Sequence, residues 1–375
     1  MNLIRDAFPL PAATDGELAI LNHESFLDRC WQVMESTPTR TGTAECLVDE
    51  EYRRSHFLGD TIALDRLLGL SERLRVSQPD CAETYLIAAQ IASLVHHFSQ
   101  ARTLLVQAQV HGADPQRVLR QQLSLDQAMG INWLQVLETR KDFAQQSQGI
   151  QDLVPLGALY AEMGHYAQAE HAYLQAITQY RDLSPFALAW VCFQLGVLFG
   201  ETLPEPDPAR AAHWYQQAIH YLPAYTHARV HLSEIHLQAS ELDLAEALLL
   251  PIIDTDDPEV SWRLAQIYAK QGNTLRAHKQ VERTRQSYEI LLERHTLAFA
   301  DHAADFYLQE GDDPAKALSL ALLNLDNRST LRAFELAHEA AVLAQHPVLP
   351  SELHARAKSH WGHLPAFMGS PLNHL

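Results

Sequence analysis

A chain of 375 residues, 47% hydrophobic and 8% aromatic, is long enough to bury a substantial core, either as two or three domains or as one elongated array. Its formal net charge of −18 repels nucleic-acid phosphates and anionic lipid, which leaves a basic or neutral partner and excludes a nucleic-acid-binding surface built on charge. No apolar run is read as reaching the roughly 18 residues of a membrane span, and Cys30, Cys46, Cys81 and Cys192 form neither a C-x-x-C pair nor a disulfide ladder.

The first 20 residues carry one early arginine followed at once by aspartate, and two prolines cut their apolar stretch, so they lack the h-region of a secretory signal and the expected location is cytoplasmic. A short helix over 16–35 and a Pro-, Thr- and Ser-bearing loop over 36–46 make up an N-terminal segment, 1–50. The stretch FLGDTIALDRLLGLSERLRVSQP then opens a region of helical hairpins, 51–345.

Within that region the pattern repeats. Ala88 and Ala89 are followed by Ala92, Phe98, Ala101, Leu105 and Ala108; Leu156 and Gly157 by Tyr160, Gly164, Tyr166, Ala169, Tyr173 and Ala176. Each reads as two short amphipathic helices joined at a turn, with small residues where the helices must touch. Leu195 and Gly196 open a further unit that closes with Ala211, Tyr215, Ala218 and Pro223 after an enlarged turn, ETLPEPDP. Later units open at Leu232–Ser233, Leu264–Ala265 and Ala303–Ala304. The small residues fall at 89, 157, 196, 233, 265 and 304, and the first gap leaves room for one degenerate unit in RVLRQQLSLDQAMGINWLQVLE. TLRAFELAHEAAVLAQHP continues the array, and 346–375 reads as a capping helix and an extended tail full of helix breakers.

These motifs, LGALY with AEHAY above all, resemble the tetratricopeptide repeat, W-x2-L-G-x2-Y followed by A-x3-F and P at a period near 34 residues. The clear matches cover 82–325, and some stretches resemble uncharacterised bacterial proteins of this class. The resemblance implies an all-α, α-α superhelix (a TPR solenoid) of about eight or nine helical hairpins, stacked because no single hairpin can bury its own apolar face.

The histidines of HARVHLSEIH test a metal reading. On a helix His227 and His231 lie roughly 40° apart, but His236 is opposite His227 and about 13 Å along the axis, so three nitrogens cannot converge. The repeat register gives His236 to interhelix packing and leaves His231 peripheral. The pair His360 and His363 falls at a helix end, and no H-E-x-x-H, G-x-S-x-G or phosphate-cradling loop is present. The acidic DTDDPE and EGDDPA sit at turns where Asp caps the next helix. The expectation is therefore no enzyme, no cofactor and no metal.

In proteins with this repeat the first helix of each pair faces the concave groove. The resemblance places Gln151, Val154 and Ala158, then Trp190, Phe193 and Val197, then His227, Val230 and Glu234, then Glu259, Trp262 and Gln266, then Asp301 and Asp305 on that face. The chaperone-tail-gripping Lys, Asn and Arg of some such repeats are missing from these positions. An aromatic and aliphatic groove with acidic neighbours implies a protein-interaction scaffold for a protein or peptide partner with apolar anchors and basic flanks. Two rival readings are a peptide-responsive sensor and an accessory subunit of a metal or cofactor enzyme.

Overall fold

The computed structural model describes residues 10–374. Its helices follow one another as α1 (Gly16–Ser36), α2 (Thr41–Leu58), α3 (Ile62–Ser77), α4 (Ala82–Leu94), α5 (Phe98–Val110), α6 (Pro115–Met129), α7 (Trp133–Ser147), α8 (Ile150–Glu162), α9 (Tyr166–Gln179) and α10 (Pro185–Val197). There follow α11 (Pro208–Tyr221), α12 (Thr226–Gln238), α13 (Leu242–Leu249), α14 (Pro258–Lys270), α15 (Thr274–Leu308), α16 (Pro314–Asn327), α17 (Leu331–Leu343), α18 (Leu349–Trp361) and α19 (Pro365–Gly369). The backbone of α15 leaves helical geometry at His295 (φ −137°, ψ 48°), so its two arms serve two successive hairpins. From α2 onward the described residues form nine hairpins, and the degenerate unit is the α6–α7 pair.

The spacing of small residues has a steric cause. A Cβ on Gly157 would lie 2.7 Å from Cε1 of Tyr173, and one on Gly196 would lie 2.4 Å from Cε1 of Tyr215. Both tyrosines are buried, so each glycine is the socket for a ring from the second helix. The turn between paired helices needs a left-handed residue seven or eight positions after the small one. Gly164 (φ 86°) and Gly272 (φ 77°) supply it, and His96, Ser240 and Asp312 take the same conformation. In the last of these turns the left-handed residue is Asp312, next to the Gly311 that the sequence pattern points to. The acidic turns are caps: Asp257 accepts from Glu259 N at 2.9 Å and Asp313 from Lys316 N at 3.0 Å.

Three expectations change. The loop over 36–46 shrinks to 37–40, because Thr41 already starts α2 and Ala44 and Leu47 are core residues. The tail is folded, not extended: Trp361, Phe367 and Leu372 are buried, and Ala366 N donates to the carbonyl of Met163. Its prolines start short helices at Pro365 and Pro371 instead of breaking structure. One window, Pro185–Thr202, is long and apolar enough to cross a membrane with mean hydropathy 1.3; it is 61% buried inside the array.

The array also winds back onto itself. Thr14 N donates to Leu183 O and Tyr221 Oη to Pro11 O, which ties the N-terminus to α10 and α11. Gly59, at the end of α2, abuts Asp257 and Thr226, and Asp65 on α3 accepts from Arg294 and lies 2.9 Å from Nε2 of His295. His96 Nδ1 donates to Leu297 O, Ser329 N to Met129 O, and Trp361 Nε1 to Ser329 O. The concave face is thereby enclosed between the two halves.

Candidate functional site

The residues expected on an open groove separate into three groups. Val230 is fully buried, Val154 is 6% exposed and Trp262 is 2% exposed. These are corrections: the side chains point between helices, and the Trp262 indole N–H is used on Glu310. Trp190 and Phe193 form an aromatic patch with His227, but His56 of α2 stands over it, its ring 4.6 Å from Trp190 and 5.2 Å from His227. Helix α2 thus covers the part of the groove that the sequence reserves for apolar anchors.

Glu234, Glu259, Gln266, Asp301 and Asp305 are half-buried; the four carboxylates are paired, and the Gln266 amide accepts from Arg263 and donates to Glu310. Glu234 pairs with Arg263; Glu259 Oε1 accepts from Nδ1 of His302 at 2.6 Å. Asp301 binds Arg328 at 2.6 Å and Asp305 binds Arg332 at 3.1 Å. Glu201, absent from the expected set, accepts from Tyr215 Oη at 2.9 Å and from His231 Nδ1 at 2.6 Å. A π-helical turn, Leu198–Thr202, extends α10 and carries Glu201 to that position. The cations Arg263, Arg328 and Arg332 stand outside the positions expected on the groove and supply its positive charge.

The lumen is partly exposed yet lined by protein on several sides. His302 keeps 56% and Glu201 46% of side-chain surface accessible, while surrounding protein imposes a desolvation cost on both. That cost alone would lower the His231 pKa; the charge and hydrogen bond of Glu201, with Glu234 and Glu259, outweigh it and raise the pKa to about 9. In the same way desolvation of His302 is overcome by Asp301, Glu259 and Asp305, which raise it to about 10. Both are imidazolium at neutral pH. His231 therefore sits at the centre of the network, against its expected peripheral place. His236 turns away, half-buried, with Nδ1 2.6 Å from Oε2 of Glu241. His227 lies 3.3 Å from Asp257, so the three histidines of this helix serve three separate contacts. Among the described residues no group of three or more His, Cys, Asp or Glu has metal-binding geometry.

The charges cancel locally: Glu201, Glu234, Glu259, Asp301 and Asp305 stand against His231, Arg263, His302, Arg328 and Arg332. Only the acids on repeat-facing positions were visible to sequence reasoning. Their counter-ions come from the following hairpin, as His231, Arg263, His302 and Arg332 do, or from the loop leading into it, as Arg328 does.

Comparison with solved structures bears on the architecture. The human IFIT1 dimer with m7Gppp-AAAA aligns over 90% of this chain and 77% of that one, at 13% identity and a TM-score of 0.50. This fold is a tetratricopeptide-type superhelix. The hetero-tetramer Cut9-Hcn1 of the APC/C aligns over 89% of this chain at 14% identity and a TM-score of 0.40. Yeast Tom70 aligns over 90% at 10% identity and a TM-score of 0.34. The chain spans 52% of the length of the Cut9-Hcn1 structure's chain. No family model and no curated protein sequence matches it.

Proposed function

We propose that this tetratricopeptide-type superhelix is a non-enzymatic scaffold that holds a protein or peptide segment in its lumen. The observation that carries this reading is the charge-compensated lining, half-exposed and rigidly paired, which offers polar groups to a polypeptide backbone at little ordering cost. Because the lining is locally neutral, the excess of 46 acidic over 28 basic residues lies on other surfaces. Long-range steering then favours a cationic partner, while the lumen reads hydrogen bonding and shape. The same excess of negative charge disfavours RNA.

The test is a photo-crosslinking amino acid at Arg332, which is 70% exposed at the lumen, compared with one at Leu275, 82% exposed at the start of α15. The reading expects one protein crosslinked reproducibly from position 332 and not from 275. Capture of RNA from position 332, or of the same protein from both positions, would overturn it.

A further inference from the structure

The seam where the N-terminal hairpins meet the middle of the array encloses a cavity of about 150 Å³. Tyr52, His56, Leu64, Leu94 and His96 come from one side, and Asp257, Glu259, Tyr288 and Phe299 from the other. We propose that this cavity binds a small primary ammonium compound with a short apolar body. The cavity shares the Glu259–His302 pair with the lumen and extends from it into the seam.

Size, charge and unfilled hydrogen-bonding capacity all point the same way. A cavity of this volume accommodates a molecule of roughly benzene size. Its lining holds two carboxylates, Asp257 beside His227 and Glu259 paired with His302, which favour a cationic guest over an anionic one. The Nδ1–H of His96 is spent on the Leu297 carbonyl, so neutral His96 presents Nε2 as an acceptor. Desolvation, assisted by Arg328, keeps that imidazole neutral, with its pKa lowered to about 4.

Asp257 uses Oδ1 to cap α14 and has His227 Nε2 3.3 Å from Oδ2, while Glu259 uses Oε1 on His302 and keeps Oε2 for a donor on the ligand. The Tyr288 hydroxyl in the wall is buried with no hydrogen-bond partner. Orphaned hydroxyls in a native interior call for a ligand or water. Tyr52 and Tyr288 supply ring faces to a cation, and Leu64, Leu94 and Phe299 supply apolar wall. An anion would face both carboxylates, and a neutral apolar guest would leave the acceptors unpaired.

The experiment is a titration of the full chain with n-butylamine, n-butanol and butyrate at pH 7, followed by calorimetry and thermal unfolding. The expected result is saturable binding of n-butylamine with a rise in Tm, and no saturable response to butanol or butyrate. Asp257→Asn keeps a good helix cap and is expected to weaken binding about tenfold or more, through loss of a charged hydrogen bond. Tyr288→Phe tests the hydroxyl without disturbing the ring and is expected to weaken binding several-fold while leaving Tm of the free protein unchanged or higher. No saturable response to butylamine, an equal response to butanol, or unaltered affinity in Asp257→Asn would each overturn the proposal.

Discussion

His231→Gln offers a quantitative test of the lumen network. The imidazolium of His231 lies between Glu201 at 2.6 Å and Glu234 at 3.7 Å. Its folded-state pKa of about 9 exceeds the ordinary 6.5, so its stabilisation is complete below pH 6.5 and is lost as pH rises through 9. Linkage bounds the contribution at about 2.6 kcal/mol at pH 7 and about 0.4 kcal/mol at pH 9. Glu201 is 46% exposed, and solvent screening of that partner brings the difference down to ~1 kcal/mol. Wild type should therefore lose ~1 kcal/mol more than His231→Gln between pH 7 and 9, read from urea unfolding at both values. Groups common to both proteins, including His302, cancel in the comparison. The ring Cε1–H resonance of His231 should titrate near 9 by NMR. A midpoint near 6.5, or equal losses in the two proteins, would refute the argument.

Gly196→Ala should destabilise by ~1–3 kcal/mol despite the better helix former, because the new methyl meets Tyr215, which its hydrogen bond to Glu201 holds in place. Gly69→Ala, with nothing within 4 Å of its Cβ, is the control and should stabilise by up to ~1 kcal/mol in the same thermal unfolding experiment. Glu259→Lys should cost ~2–4 kcal/mol in chemical denaturation, since it sets a third cation against Arg263 and His302. A reversal that left stability intact would show that the pairs are not maintained in solution.

That last substitution shows where the sequence is legible and where it is not. The repeat can be read because packing is local: Gly157 and Tyr173 are sixteen residues apart, and the next unit restates the contact with Gly196 and Tyr215. Helix existence, hairpin order and the caps at Asp257 and Asp313 follow from such short-range rules. The lumen is not local. Asp65 meets His295 across 230 residues and His56 meets Tyr225 across 169, through superhelical winding that no single unit encodes. A groove-facing Glu therefore looks free in the sequence and is paired in the fold. The tail misleads for a related reason, since Pro365 breaks a helix locally yet starts α19, which packs against the Gly164 turn.

The aromatic patch follows from the same winding and bears on how a partner could enter. Trp190, Phe193 and His227 are covered by His56, whose own pKa is pushed well down by desolvation and by nearby His227. An amphipathic helix laid on apolar anchors is how such grooves hold peptides, and here α2 of the same chain has that role. A segment in the lumen does not need to displace α2, because Glu201, His302, Asp305 and Arg332 remain accessible beside it. A partner that used the aromatic anchors would have to displace α2, losing the packing of Phe57 on Tyr225 and Phe186. Its apparent affinity would fall in proportion to the rarity of the open state. On the proposed function, closure of the superhelix would favour a partner recognised by polar contacts along the lumen over one captured at its aromatic end.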